Sequence, residues 1–318
     1  MPNAAELRAP ARLHSRSSHA GRWSIGLLAA LLVSGCSPAD VLNFLAWRQG
    51  LEIAHSVPYG EGARRTLDVY HPRNAAAAPV VVFFYGGSWQ TGSKKIYRFV
   101  AAALARRGYV VVVPDYRVYP EVRYPDFLDD GAHAVRWAKQ NAAHYGGDPD
   151  KLFLMGHSAG AYIAAMLALD SRWLNAVALE PDRDIAALIG ISGPYDFLPL
   201  RDGTLKAIFG GNDPATQPTS HVSPGAPPAL LLTGAKDGIV NPNNTAELAA
   251  RLHAAGDSAT VLSYAWVGHL SIIGAFALPL RFLAPALHDV DAFIAKTVNA
   301  KTANVQMKQA VGPAEILR

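Results

Sequence analysis

The segment Lys151-Leu152-Phe153-Leu154-Met155 has the apolar run of a buried strand. It passes through Gly156-His157-Ser158-Ala159-Gly160 straight into the small-residue stretch Ala161–Leu169, which has the character of a helix packed closely on a sheet. A strand that turns directly into a helix must cross a cramped backbone conformation. Glycines two residues either side of the central serine remove the Cβ atoms that would collide there. The serine hydroxyl is left exposed at the top of the sheet, and the N–H of Ala159, at the start of the helix, faces any negative charge that forms nearby. The pattern predicts a strand–helix unit with Ser158 as a nucleophile. The plainer alternative is a glycine-rich turn that holds a phosphate or nothing.

The same strand-then-helix grammar repeats along the chain. Strands are expected at Leu51–Val57, Thr66–Tyr70, Val80–Tyr85, Tyr109–Val113, Lys151–Met155, Ile185–Ser192, Ala229–Thr233 and Thr260–Tyr264. Helices are expected at Lys94–Arg107, Pro125–Asn141, Thr245–Ala255 and Phe282–Val298, with a loop over Asn141–Asp150. The first two strands, joined by Pro58-Tyr59-Gly60-Glu61-Gly62, read as an antiparallel pair. The later ones are continuous apolar runs alternating with helices, which implies a mostly parallel eight-stranded sheet covered on both faces. Half of the 318 residues are hydrophobic and 17% are charged, which excludes a disordered chain. The expected organisation is an export segment over 1–35, a tether over 36–50, one α/β domain over 51–298 and a frayed tail over 299–318.

A net charge of +4 invites a nucleic-acid reading, but the excess is badly placed for one. Arg8, Arg12, Arg16 and Arg22 against Glu6 put +3 of it ahead of Cys36, leaving +1 for the rest. No basic patch survives to contact phosphates. The arginines instead precede the apolar run Ile25–Val33, which has the length of a signal-peptide core and is too short to span a bilayer. Val33-Ser34-Gly35-Cys36 resembles the lipobox of bacterial lipoproteins, and Cys36 is the only cysteine of the chain. That resemblance implies lipidation of Cys36 as the first mature residue and a lipid anchor. Ser37 at the next position favours the outer membrane. An ordinary secretory signal cleaved near the same place is the alternative.

A serine hydroxyl needs a base to take its proton, an acid to orient that base and donors for the oxyanion. Of eleven histidines, His269 fits best, because it follows the last strand through Ala265-Trp266-Val267-Gly268 on a loop. His157 adjoins the serine but points elsewhere from the turn, which suits a structural role. His133, His144, His253 and His288 fall on or beside helices. Two acids that follow buried strands are candidates to orient His269: Asp237 in Thr233-Gly234-Ala235-Lys236-Asp237-Gly238, and Asp196 in Gly193-Pro194-Tyr195-Asp196. The loop Tyr85-Gly86-Gly87-Ser88-Trp89 after an early strand can turn backbone N–H groups toward a substrate carbonyl. Gly87, Ser88 and Ala159 are the expected donors. No histidine–carboxylate cluster has metal-ligand spacing.

In order, these residues resemble the α/β-hydrolase superfamily, whose triad runs serine, acid, histidine. The resemblance spans residues 51–298. It implies the α/β-hydrolase fold, no cofactor, and Asp237 as the acid, since that fold carries its acid one strand later than Asp196. The glycine loop is similar to the HGGG and HGGxW motifs of hormone-sensitive-lipase-like esterases and kynurenine formamidase-like hydrolases. Here Tyr85 stands in place of the motif's histidine. Asp115 and Arg117 read as loop braces. The short insertion Tyr195–Pro228, helical only at Thr204–Phe209, makes a minimal cap and suggests small acyl groups. The expected activity is hydrolysis of small-molecule esters. An arylformamidase-like amidase or small peptidase, or a surface binding protein on the same fold, are the alternatives. Nothing in the sequence sets an oligomeric state.

Overall fold

A computed structural model describes residues 38–46 and 50–310. The export segment and Cys36 lie outside the described residues. The chain divides at Leu42 into two units, and the sheet belongs to the second. Its strands are β1 (Leu51–Pro58), β2 (Thr66–Pro72), β3 (Ala78–Phe84), β4 (Val110–Pro114), β5 (Gly147–His157), β6 (Ala187–Ile191), β7 (Ala229–Gly234) and β8 (Ala259–Tyr264). They form one sheet in the order β1-β2-β4-β3-β5-β6-β7-β8, with β2 antiparallel to both its neighbours and all other pairs parallel. Every residue of β4, β6 and β7 is buried, odd and even positions alike, so both faces of the sheet are covered. The edge strands β1 and β8 alternate toward exposure instead. The expected α/β architecture is the observed one, with β5 central and its C-terminal end carrying Ser158.

The helices are α1 (Pro38–Leu45), α2 (Arg98–Ala105), α3 (Asp126–Asn141), α4 (Ala159–Leu169), α5 (Ser171–Asn175), α6 (Pro181–Asp184), α7 (Gly203–Phe209), α8 (Asn243–Ala254), α9 (His269–Gly274) and α10 (Ala286–Ala310). All of α4 is buried, which accounts for its lack of a polar face. Several expectations need correction. The supposed tether contains α1, and Asn43 pins it: its side chain donates to the carbonyls of Lys95 and Ile96 and accepts from the Phe99 amide. The supposed tail continues α10 as far as Ala310, because 299–310 is rich in Ala, Lys, Gln and Met and holds no proline. That helix starts at Ala286, after Pro285, and not at Phe282. Residues 94–97 are turns ahead of α2, and 147–150 already belong to β5, where Gly147 pairs with Ala78. His269 sits on the first turn of α9 and not on a loop.

Candidate active site

The turn from β5 into α4 is tightly packed. Ser158 has φ 56° and ψ −125°, a conformation that a residue with a Cβ holds only when its surroundings impose it. The surroundings do so by close approach. A Cβ on Gly160 would fall onto the carbonyls of Phe84 and Tyr85, and one on Gly156 onto the carbonyl of Gly160. Helix α4 therefore presses directly against the end of β3. The Ser158 amide donates to the Ile191 carbonyl at 2.9 Å, so the serine is fastened to β6 as well. Ala159 opens the helix, and its N–H has no partner within α4.

His269 and Asp237 reach this serine from the ends of two further strands. The Ser158 hydroxyl lies 2.9 Å from His269 Nε2, and His269 Nδ1 lies 2.8 Å from Asp237 Oδ2. A carboxylate only accepts, so Nδ1 carries the proton and Nε2 is left to accept from Ser158 Oγ. All three side chains are buried. The second oxygen of Asp237 accepts from the amides of Ile239 and Val240, both at 2.9 Å. Burial alone would raise its pKa. The Val240 amide, the His269 ring N–H and the Ile239 amide outweigh that and hold the carboxyl below its ordinary range. The start of α9 is set by the Gly268 amide, which donates to Ser271 Oγ at 2.8 Å. Asp196 is not part of this chain of hydrogen bonds. Its carboxylate faces Arg251 at 3.9 Å, and it lines the cleft outside.

His157 does more than fill space. Its Nε2 donates to the His269 carbonyl at 3.0 Å, its Nδ1 faces the Tyr97 hydroxyl at 3.3 Å, and its ring packs 4.8 Å from that of His269. Complete burial lowers its pKa to about 3, and the neighbouring His269 acts in the same sense, so the ring is neutral. Sequence reasoning set His157 aside as structural and missed Tyr97. Adjacency to the serine was the signal for His157, and Tyr97, 60 positions from His157, had none.

The glycine loop is closed by the Gly87 carbonyl, which accepts from the amides of Gln90 and Thr91 at 3.0 Å each. Gly87 has φ 147°, where a Cβ would strike the Thr91 carbonyl, and Ser88 and Trp89 follow at φ 53° and 58°. Successive left-handed residues of this kind turn their N–H groups to one side. Gly87 and Ser88 line the pocket that also holds Ser158 and His269, and Ser88 and Ala159 share the adjoining cleft.

Tyr85, the one departure from the resembled motif, is a brace. Its hydroxyl donates to Asp115 Oδ1 at 2.8 Å and accepts from Arg64 at 3.0 Å. Burial, with Tyr116 and Asp115 beside it, raises its pKa far above the usual value, so it stays a donor. Asp115 also accepts from the Lys94 amide and Nζ, and Arg64 donates to the Gly92 carbonyl. The ring is stacked between Tyr97 and Tyr116. Arg117 pairs bidentately with buried Asp130, so both residues expected to brace loops do so.

Two cavities meet at Ser158. One, of about 570 Å³, runs past Trp89 and Phe197 to Asp196, Arg201 and Asn241, and the cap segment forms one of its walls. The other, of about 310 Å³, contains His269 and is rimmed by Ile96, Ile239 and Leu270. Trp89 is itself buried, stacked on Phe197 and edge-on to Tyr162 and Phe209.

The BD-FAE family matches residues 67–252, more than half of the chain. The chain belongs to the BD-FAE family. A probable isoprenylcysteine alpha-carbonyl methylesterase of Arabidopsis thaliana is 30% identical over 79% of this chain and 58% of its own length. Esterase LipC of Mycobacterium tuberculosis is 29% identical over 69% of this chain and 58% of its own. The chain thus spans little more than half the length of those two relatives. Among solved structures, a truncated carbohydrate esterase from gut microbiota superposes with a TM-score of 0.67 at 21% identity, covering 77% of this chain and 96% of that one. Apo esterase 2 of Thermogutta terrifontis superposes with a TM-score of 0.64 at 26% identity, covering 79% and 96%. Like them, this BD-FAE member has the α/β-hydrolase fold.

Proposed function

We propose that the protein is a serine carboxylesterase acting on esters of small acyl groups. The observation that carries the reading is the unbroken line Asp237–His269–Ser158, at 2.8 and 2.9 Å, on an elbow held in a strained conformation. As Ser158 Oγ attacks the ester carbonyl, its proton passes to His269 Nε2, and Asp237 holds the imidazolium through Nδ1. The amides of Gly87, Ser88 and Ala159 receive the charge that develops on the carbonyl oxygen. His269 then gives its proton to the departing alcohol oxygen, leaving an acyl group on Ser158. Water attacks that acyl group with its proton taken by His269, and the acid leaves as Ser158 regains its proton. The preformed hydrogen bonds spare the reaction the cost of ordering these groups.

The relatives' names support ester hydrolysis. The Thermogutta esterase has been solved with butyrate and with propionate bound, which agrees with small acyl groups here. We also propose export through residues 1–35 and attachment by lipid at Cys36, on the lipobox-like sequence. The test of activity is a fluorophosphonate probe on the parent and on Ser158→Ala, followed by p-nitrophenyl esters from acetate upward and N-formylkynurenine. The parent is expected to label and to favour the short esters, and Ser158→Ala to do neither. An unlabelled parent refutes the hydrolase; turnover of the formamide without the esters makes it an amidase.

A further inference from the structure

Most of the large exposed apolar side chains of this protein fall into two groups, one around the serine's pocket and one beside the helix Pro38–Leu45. Ile96, Ile239 and Leu270 are 41%, 66% and 69% exposed, and all three line the pocket that holds Ser158 and His269. Trp266, three residues before His269, is 82% exposed, with Lys236 Nζ 4.7 Å above its ring. Asn43 fastens α1 to the same rim through the Lys95 and Ile96 carbonyls. Beyond that anchor, Leu42 and Ala46 share a groove with Leu278 and Arg281. Phe44 and Phe282 stand almost fully in water, and Leu45 and Leu278 are exposed beside them in sequence. Within the Leu42–Arg318 unit, Val261 on edge strand β8 is the one other exposed large apolar side chain among the described residues.

Cations outnumber acids in the segments that carry these side chains, although Asp196 and Asp202 stand across the adjoining cleft that Ile239 also lines. Residues 42–46, 94–98, 236–240 and 266–282 carry Lys95, Arg98, Lys236 and Arg281, besides Lys94, which is buried on Asp115. The single acid of these segments, Asp237, is buried on His269. Arg281 has no ion-pair partner among the described residues, and burial together with Arg107 and Arg106 lowers its pKa. Exposed rings and branched chains among uncompensated cations have their complement in a surface with an apolar interior and anionic head groups.

We propose that this rim seats on an anionic lipid surface, so that the Ser158 pocket opens against the bilayer and takes its esters from there. The seating stands without the esterase reading; the delivery of esters rests on it.

The test uses the full chain carrying Cys36→Ser, which removes any lipid at that position, with vesicles of phosphatidylglycerol or of phosphatidylcholine. Flotation is expected with phosphatidylglycerol, weakening as salt rises, and much less with phosphatidylcholine. Adding Phe44→Ser and Phe282→Ser is expected to weaken binding by at least about tenfold, with hydrolysis of soluble p-nitrophenyl acetate unchanged. Both proteins keep the same N-terminal segment, so the difference reports the rim. Hydrogen exchange is expected to slow at 94–98 and 266–282 on phosphatidylglycerol vesicles. The proposal is wrong if the parent does not float, if it floats equally on both lipids, or if the doubly substituted protein binds like the parent. Flotation of Ser158→Ala, with no hydrolysis, keeps the docking and the chemistry separable.

Discussion

Asp237→Asn replaces one carboxylate oxygen by an NH2 group and, on this geometry, disables the base without moving it. The amide that results can keep accepting from Ile239 and Val240 through its carbonyl oxygen, since both backbone N–H groups go to one carboxylate oxygen. Its NH2 group then takes the place of the oxygen that lies 2.8 Å from His269 Nδ1. Two donors cannot face each other, so Nδ1 must become the acceptor and Nε2 must carry the proton. That proton points at Ser158 Oγ, which then has no base to receive its own. The loss worked out for the same tautomer reversal in another serine triad is about 10⁴-fold in kcat, or about 5.5 kcal/mol of barrier. The assay is kcat/KM for p-nitrophenyl acetate between pH 5 and 9, beside the rate of fluorophosphonate labelling, and both are expected to fall together. Asp196→Asn is the control, because that side chain lines the cleft outside the hydrogen-bonded line to His269, and kcat should stay within about threefold of the parent. Retention of more than about a tenth of parental activity in Asp237→Asn, or a larger loss in Asp196→Asn, refutes the assignment of the acid.

Other consequences concern stability. His157 is neutral in the fold with its pKa at about 3, whereas in the unfolded chain it binds a proton near pH 6.5. Stability should therefore fall as the pH drops from 6.5 toward 3, with a slope approaching about 1.4 kcal/mol per pH unit. Asp237, held below 3.8 in the fold, extends the loss as the pH falls further. Urea midpoints measured across that range should show the slope, and His157→Gln should flatten it. Tyr85→Phe keeps the ring stack but removes the bonds to Asp115 and Arg64, at a cost of about 1–3 kcal/mol. A melting temperature indistinguishable from the parent's would show that Tyr85 braces nothing. Gly160→Ala drives a Cβ into the Phe84 and Tyr85 carbonyls, and at least about 3 kcal/mol should be lost in chemical denaturation. Parental stability in that variant would mean that α4 does not press on β3 as described.

What could be read ahead of the structure was the part written in local periodicity. The eight apolar runs were legible because each strand is buried along its whole length or alternates at an edge. The serine elbow was legible because two glycines at fixed offsets are the local answer to a strand-to-helix collision. His269 and Asp237 were legible as residues following strands, though the choice between Asp237 and Asp196 leaned on a resemblance. The helices at the two ends were not legible. Helix α1 is short, and what holds it is Asn43 reaching carbonyls more than fifty residues away. The continuation of α10 reads as a polar tail by composition, and only its propensity hinted otherwise.

Tyr85 could be seen as a departure, but its purpose could not, since its partner groups Arg64 and Asp115, and the Lys94 that Asp115 also holds, come from three other segments. The same holds for His157. Its sequence neighbour is Ser158, while its working partner is the carbonyl of His269, 112 positions away. Burial and hydrogen-bond partnership are properties of groups brought together by the fold, and no local pattern encodes them. By itself, then, the sequence determined an α/β sheet with a serine displayed at the end of its central strand. The tertiary structure decided which acid faces which histidine, what stands behind the oxyanion loop, and that exposed Ile96, Ile239 and Leu270 stand together around the serine's pocket.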